Sequence, residues 1–261
     1  MKLQPALIFG QNMILQRGIP IPVWGRSVRD DTVTVVLNGY TLHTQAKRGE
    51  WRVTFQPMEA VEDTSMTIAS AATGERIEFG GVAIGEVWIA GGQSNMEFLL
   101  KYDEGADEMH NIPQDPMLRY FRYPQTSFLG QLERDAFPDD GFWRKWDSVE
   151  NRDHFSAPAA YMGHRLRAVL GVPVGFVGCN WGGTPAAAWT AAEELDAVPA
   201  LQAVLDWHSR ACAELDWPKY EADALHPDKD PPPEQREMLD ALMMGGSPEL
   251  LQKQRPPRPP A

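Results

Sequence analysis

Seven residues, Gly91-Gly92-Gln93-Ser94-Asn95-Met96-Glu97, hold the combination in this chain best suited to covalent chemistry. The apolar run Val87-Trp88-Ile89-Ala90 leads in and Phe98-Leu99-Leu100 follows, a pattern that predicts a buried strand, a tight glycine turn and a helix start. Glycine permits backbone geometry that a Cβ would block. A serine placed there lies beside unpaired backbone N–H groups. Its hydroxyl could attack a carbonyl while those N–H groups receive the developing oxyanion. The same letters have a plainer meaning, because Ser94-x-x-Glu97 is also the pattern of a helix capping box. What surrounds the motif decides between the two.

A second glycine turn, Asn180-Trp181-Gly182-Gly183-Thr184-Pro185, follows the apolar run Val172 to Cys179. Thr184 and Pro185 read as cap and first residue of a helix over 186–197. Between the two turns, Ser156 to Leu170 has an amphipathic pattern with Ser156 as cap, Pro158 in the first turn and Gly171 as stop. Strand, crossover, helix and strand make a parallel βαβ unit. Both glycine turns then lie outside the carboxyl ends of parallel strands, where α/β sheets bind ligands.

Ahead of these elements, residues 1–83 alternate short strand patterns with turn signals about every ten residues, as in a sandwich or jelly-roll. Asn38-Gly39 between Thr32–Leu37 and Tyr40–Thr44 is a hairpin signature. At Gly80-Gly81 the period changes, and the domain boundary is expected at 80–85. Met117 to Tyr123 is a further strand candidate. Residues 201–261 are expected to form one or two helices (Leu201 to Leu215, Gln235 to Met244) and a proline-rich tail.

Composition narrows the function classes. The net charge of −12 over 261 residues opposes nucleic-acid binding, which needs a basic face. No apolar run reaches the ~18 residues of a membrane span. The start, Met1-Lys2-Leu3-Gln4-Pro5, shows no apolar signal region, so the default expectation is a cytoplasmic chain. Two cysteines, Cys179 and Cys212, form neither a disulfide scaffold nor a metal pair. Asp103, Glu104, Asp107 and Glu108 fit no metal loop and read as a solvated stretch. Trp143 and Trp146 suit either a core or a sugar platform.

These motifs together resemble the bacterial sialate O-acetylesterases, within the SGNH-type hydrolases. The resemblance rests on Gly85-Glu86-Val87-Trp88-Ile89-Ala90-Gly91-Gly92-Gln93-Ser94-Asn95-Met96 and on Phe155-Ser156-Ala157 through Val172-Pro173-Val174-Gly175. It rests also on Trp181-Gly182-Gly183-Thr184-Pro185 with Ala188-Trp189-Thr190, and on Met13-Ile14-Leu15-Gln16-Arg17 with Pro22-Val23-Trp24-Gly25 near the start. It spans residues 5 to about 200. It implies an N-terminal β-sandwich (1–83), a three-layer α/β hydrolase domain (84–200) and a tail (201–261). It implies Ser94 as nucleophile, the Ser94 and Gly183 N–H groups as oxyanion hole, and Gln93, Asn95 and Trp181 as substrate contacts. The implied substrate is an O-acetyl ester of sialic acid or a related glycan, cleaved through an acetyl-enzyme, and the resemblance implies no metal or organic cofactor.

The family's late Gln-Gly-Glu segment is missing, and Asp223-Ala224-Leu225-His226 spells its Asp-x-x-His in a charged, proline-rich setting. His110, His154, His164 and His208 offer no better base. The expectation is therefore a shortened or split member of the family, with a second polypeptide as the other source of the base. An uncovered apolar surface at Val87–Ala90 or Val172–Val177 would follow. Two other functions fit the motifs: a non-catalytic carbohydrate-binding remnant, and an esterase for acetylated xylan or another plant glycan.

Overall fold

The computed structural model describes residues 2–128, 130–134 and 137–224, which divide into two units. The first unit is Met1–Pro124 with Phe137–Gly183. Its strands are β1 (Gln4–Pro5), β2 (Ile14–Gln16), β3 (Ile21–Arg26), β4 (Thr32–Leu37), β5 (Tyr40–Gln45), β6 (Glu50–Phe55), β7 (Val61–Ser70), β8 (Arg76–Gly92), β9 (Asp115–Arg122), β10 (Trp143–Trp146) and β11 (Val174–Asn180).

The N-terminal part is a β-sandwich, as its alternating sequence requires. Val33, Val35 and Leu37 of β4 and Trp51, Val53 and Phe55 of β6 are buried while the residues between them face outward. One layer is β1-β3-β6; the other is β5-β4-β7 with the first half of β8 and β2. Ile21 and Val23 share one core with Met66, Ile68, Val82 and Ile84 from the facing layer. The hairpin at Asn38-Gly39 forms with φ of 48° and 79°, the left-handed pair that matches strand twist.

β8 does not stop at the expected boundary. It runs 17 residues, and 80–85 lies inside it. Its first half pairs antiparallel with β7, with register shifts between Thr64 and Met66 opposite Gly80-Gly81. Its second half, Glu86–Gly92, pairs in parallel with β11. The glycine pair is thus accommodated as a bulge within one strand. The α/β sheet has the order β10-β9-β11-β8. Helix Ala157–Leu170, capped by the Ser156 side chain and ended by Gly171 at φ 65°, covers one face. Its Ala157, Ala159 and Ala160 pack with Ala90, Leu118, Tyr120, Val174 and Phe176. Trp143 and Trp146 are both core residues, at 4% and 0% exposure, and so form no sugar platform.

Two polar clusters join sandwich to sheet. Arg17 Nε bonds Glu86 Oε1 at 2.8 Å, and the Val87 N–H donates to Gln16 Oε1 at 2.7 Å. The Arg17 guanidinium, aided by Gln16, holds the Glu86 carboxyl below its ordinary range against the opposing effect of burial. Arg119 is 1% exposed, and among the described residues no carboxylate pairs with it directly. It donates instead to the carbonyls of Asn12 (2.8 Å), Gly81 (2.6 Å) and Pro116 (2.9 Å). Burial lowers its pKa to about 10, so it stays charged at neutral pH.

Of the two segments expected to be uncovered, Val174, Phe176 and Val177 are buried. On β8, Trp88 is 41% and Ile89 76% exposed. Among the described residues, β11 is the one ladder neighbour of Glu86–Gly92 beyond the Gln16 contact.

The second unit is Gln125–Ala136 with Thr184–Ala261. The helix expected over 186–197 is broken. Pro185 is extended (ψ 158°), Ala186–Trp189 is a 3-10 turn, and a separate helix occupies Ala192–Asp196. Side chains explain the break: Thr184 Oγ1 accepts from Trp189 Nε1 at 2.8 Å rather than capping, and Thr190 Oγ1 donates to the Ala186 carbonyl at 3.0 Å. Helices Gln202–Glu214 and Trp217–Ala224 follow. His226, the segment Gln235 to Met244 and the proline-rich stretch lie outside the described residues.

Two stability measurements test the junction. Arg119→Met strands buried carbonyls and is expected to cost about 3 kcal/mol in urea unfolding; an unchanged midpoint would rule out the staple. Glu86→Gln is expected to cost up to about 1 kcal/mol at pH 7, because the pair is partly exposed. A carboxyl held low in the folded state stabilises above its ordinary range and loses that contribution as pH falls through its folded pKa. The difference between wild type and Glu86→Gln should therefore close as the pH falls below the ordinary carboxylate range.

Candidate active site

The two glycine turns meet because β8 and β11 are parallel and in register. Cys179 stands opposite Gly91 and Asn180 opposite Gly92, so both strands end at the same level. The Trp181 N–H then donates to the Gly92 carbonyl at 3.1 Å. The buried Asn180 amide donates to the Ala90 carbonyl at 3.1 Å and contacts Tyr120 Oη at 3.4 Å. The turns are therefore tied to each other, not merely adjacent.

Ser94 opens a one-turn helix, Ser94–Glu97. Gln93 holds the cap position, and its carbonyl accepts from the N–H groups of Met96 and Glu97, both at 2.9 Å. No side chain caps this helix, so the capping box does not form. Ser94 is a helical residue with an exposed side chain, and its Oγ has no hydrogen bond among the described residues. One turn supplies little macrodipole; any electrophilic help must come from individual N–H groups.

Glu97 faces away from its own helix end. Its carboxylate accepts from the Gly182 N–H and lies 3.5 Å from Arg122 Nη2. Arg122, the last residue of β9, reaches on to Asp140, with Nη1 3.4 Å from Oδ1. Burial pushes the Asp140 carboxyl up, and Arg122 opposes that shift. This chain of groups was not visible as a site in sequence. Its one local signal was the acidic residue three places after Ser94, whose natural reading was a cap.

The Gly182-Gly183 turn lies directly against Ser94. A methyl group on Gly182 would stand 2.9 Å from Glu97 Oε2 and 3.3 Å from Ser94 Oγ. Gly183 has φ 78°, a conformation that favours glycine. With the Gly182 N–H taken by Glu97, the Gly183 N–H has no partner among the described residues. Gln93 and Asn95 flank Ser94 with exposed side chains, and Trp181 is half-buried at the head of the second turn.

The histidines of the first unit lie elsewhere. His110 Nε2 is 2.9 Å from Asp153 Oδ1. His154 Nδ1 meets the Glu150 carbonyl at 2.8 Å. His164 packs on Trp146, and burial holds its pKa down. His43 meets Thr34 on the sandwich. None of these contacts Ser94. In the second unit, His208 lies 3.7 Å from Cys212 Sγ and Asp223 is exposed. Asp103 accepts from the Tyr161 hydroxyl and the Gly105 N–H, which gives part of the acidic stretch a structural task.

No family model matches the chain. Sialate O-acetylesterases of Pongo abelii and Homo sapiens are 29% and 28% identical to it over 210 residues, 74% of this chain. The chain spans 39% of the length of these relatives. The crystal structure of a carbohydrate acetylesterase from Xanthomonas citri superposes with a TM-score of 0.66 at 28% identity, covering 74% of this chain and 44% of that one.

The packing of the second turn is open to a direct test. Gly182→Ala is expected to cost about 2 kcal/mol by overpacking against Ser94 and Glu97. Gly10→Ala, where a methyl group meets nothing within 4 Å, should change the urea midpoint by no more than about 0.5 kcal/mol. Equal effects at the two positions would contradict the close approach.

Proposed function

We propose that this homologue of the sialate O-acetylesterases removes O-acetyl groups from sialic acid or a related glycan, with Ser94 as its nucleophile. The observation that carries the reading is the exposed Ser94 hydroxyl pressed against a glycine turn whose Gly183 N–H has no partner among the described residues.

In this mechanism Ser94 Oγ attacks the acetyl carbonyl and the negative charge moves onto the carbonyl oxygen. The Ser94 and Gly183 N–H groups receive that charge, a contribution of about 3–4 kcal/mol per preorganised donor. The sugar leaves as its alcohol, the acetyl group stays on Oγ, and water releases acetate and restores the serine. A serine hydroxyl needs a base to accept its proton. We place that base outside the described residues, either at His226 or on further polypeptide that completes the catalytic half. In this reading Gln93, Asn95 and Trp181 meet the sugar around the acetyl group.

The test is labelling and turnover by the full chain. Wild type is expected to take a fluorophosphonate at Ser94 and to release acetate from an O-acetylated sialic acid; Ser94→Ala should do neither. Loss of turnover in His226→Ala would assign the base to this chain. A chain that binds acetylated sugar but takes no label, alone or with the polypeptide that completes the catalytic half, is the carbohydrate-binding remnant, and the esterase reading falls. A preference for acetylated xylan would move the substrate to plant glycans.

A further inference from the structure

We propose that Glu97 is a positioning residue: its carboxylate holds the Gly182-Gly183 turn against Ser94, and Arg122 holds the carboxylate in turn. The inference rests on the reading of Ser94 as nucleophile.

A glutamate in an exposed single turn ordinarily points to solvent or back to its own helix start. Glu97 does neither; it is partly buried and spans 85 positions of sequence to reach the Gly182 N–H. Hydrogen bonds from a backbone N–H to a carboxylate are about twice as strong as neutral ones. Arg122 sits between Glu97 and Asp140, at 3.5 and 3.4 Å, with its side chain 18% exposed. Two carboxylates on opposite nitrogens limit how far that guanidinium can turn, so it fixes Glu97 from behind.

The geometry has a chemical consequence. Successive N–H groups in a glycine turn compete for the same space beside the nucleophile. Occupying the Gly182 N–H with Glu97 fixes that peptide plane. It leaves the next N–H, of Gly183 at φ 78°, as the donor for an incoming oxygen. A donor held in place before reaction contributes far more than one that must be reoriented. Glu97 thus acts on the oxyanion through Gly182 and does not touch it. A glutamine keeps an acceptor for the Gly182 N–H; an alanine does not.

The experiment uses the full chain as wild type, Glu97→Ala and Glu97→Gln, with two readouts. The first is hydrogen exchange of the Gly182 amide by NMR, which requires no activity. Exchange should speed up at least tenfold in Glu97→Ala and less than threefold in Glu97→Gln, with the Val177 amide unchanged in both. The second is the rate of Ser94 labelling by a fluorophosphonate. Its maximal rate should fall at least tenfold in Glu97→Ala at an unchanged half-saturating concentration, and recover to within threefold of wild type in Glu97→Gln. Unchanged Gly182 exchange in Glu97→Ala overturns the proposal. So does faster exchange with an unchanged labelling rate. A wild type that takes no label overturns the esterase reading instead, and Gly182 exchange then decides by itself whether Glu97 holds the turn.

Discussion

Everything at the Ser94 site depends on the parallel pairing of β8 with β11. Strand period is two, so a one-residue slip would exchange the faces of β8 and draw Ser94 away from the second turn. The register is resisted from both ends. At one end the Glu86 N–H bonds the Pro173 carbonyl at 2.8 Å, and Gly85 lies so close to that carbonyl that no side chain fits there. At the other, the Trp181 N–H closes on Gly92. Because β8 is also a sandwich strand, the sandwich core acts on the same register. The β-domain is therefore part of what positions Ser94, through one unbroken backbone.

Cations do structural work at this junction, which matters in a chain of net charge −12. Arg119 is enclosed by carbonyl oxygens, where the dipoles of Asn12, Gly81 and Pro116 replace a counter-ion. Those carbonyls belong to both the sandwich and the sheet, so the buried charge joins them at a place where a salt bridge would have joined only two. Arg17 secures β8 through Glu86 just before the parallel half begins. Arg122 stands between Glu97 and Asp140. The guanidinium behind Glu97 is thus itself flanked by two carboxylates.

What the sequence made legible was what depends on local chemistry. The Asn38-Gly39 hairpin needs two left-handed residues and has them. Helix Ala157–Leu170 starts and stops where Ser156 and Gly171 predict. β11 falls where the apolar run Val172 to Cys179 predicts, and both glycine turns face one edge. The rest turned on partners far away in sequence. Gly80-Gly81 looks like a break, yet β7 pairs across it and absorbs it as a bulge. The alanines after Pro185 favour helix, yet Thr184 and Thr190 divert their backbone. Glu97 sits in a capping-box pattern, yet its stronger partner lies in a turn 85 residues on. In each case the local preference is worth about 1 kcal/mol or less, and a tertiary hydrogen bond or ladder outweighs it.

The two halves of the proposed chemistry have different physical requirements, and this unit meets one of them. Oxyanion donors must be stiff before the substrate arrives, since any reorientation during reaction is charged against the barrier. A sheet edge with two interlocked glycine turns, braced by the Asn180 and Glu97 side chains, supplies that stiffness. A general base must reach the serine and change its protonation state, and it needs only one side chain delivered to within about 3 Å. Ser94 is exposed at the β8–β11 edge. The same arrangement that fixes the donors therefore leaves the approach to Ser94 Oγ to an element outside these strands, so donor geometry and proton acceptance can be supplied by separate parts of the fold.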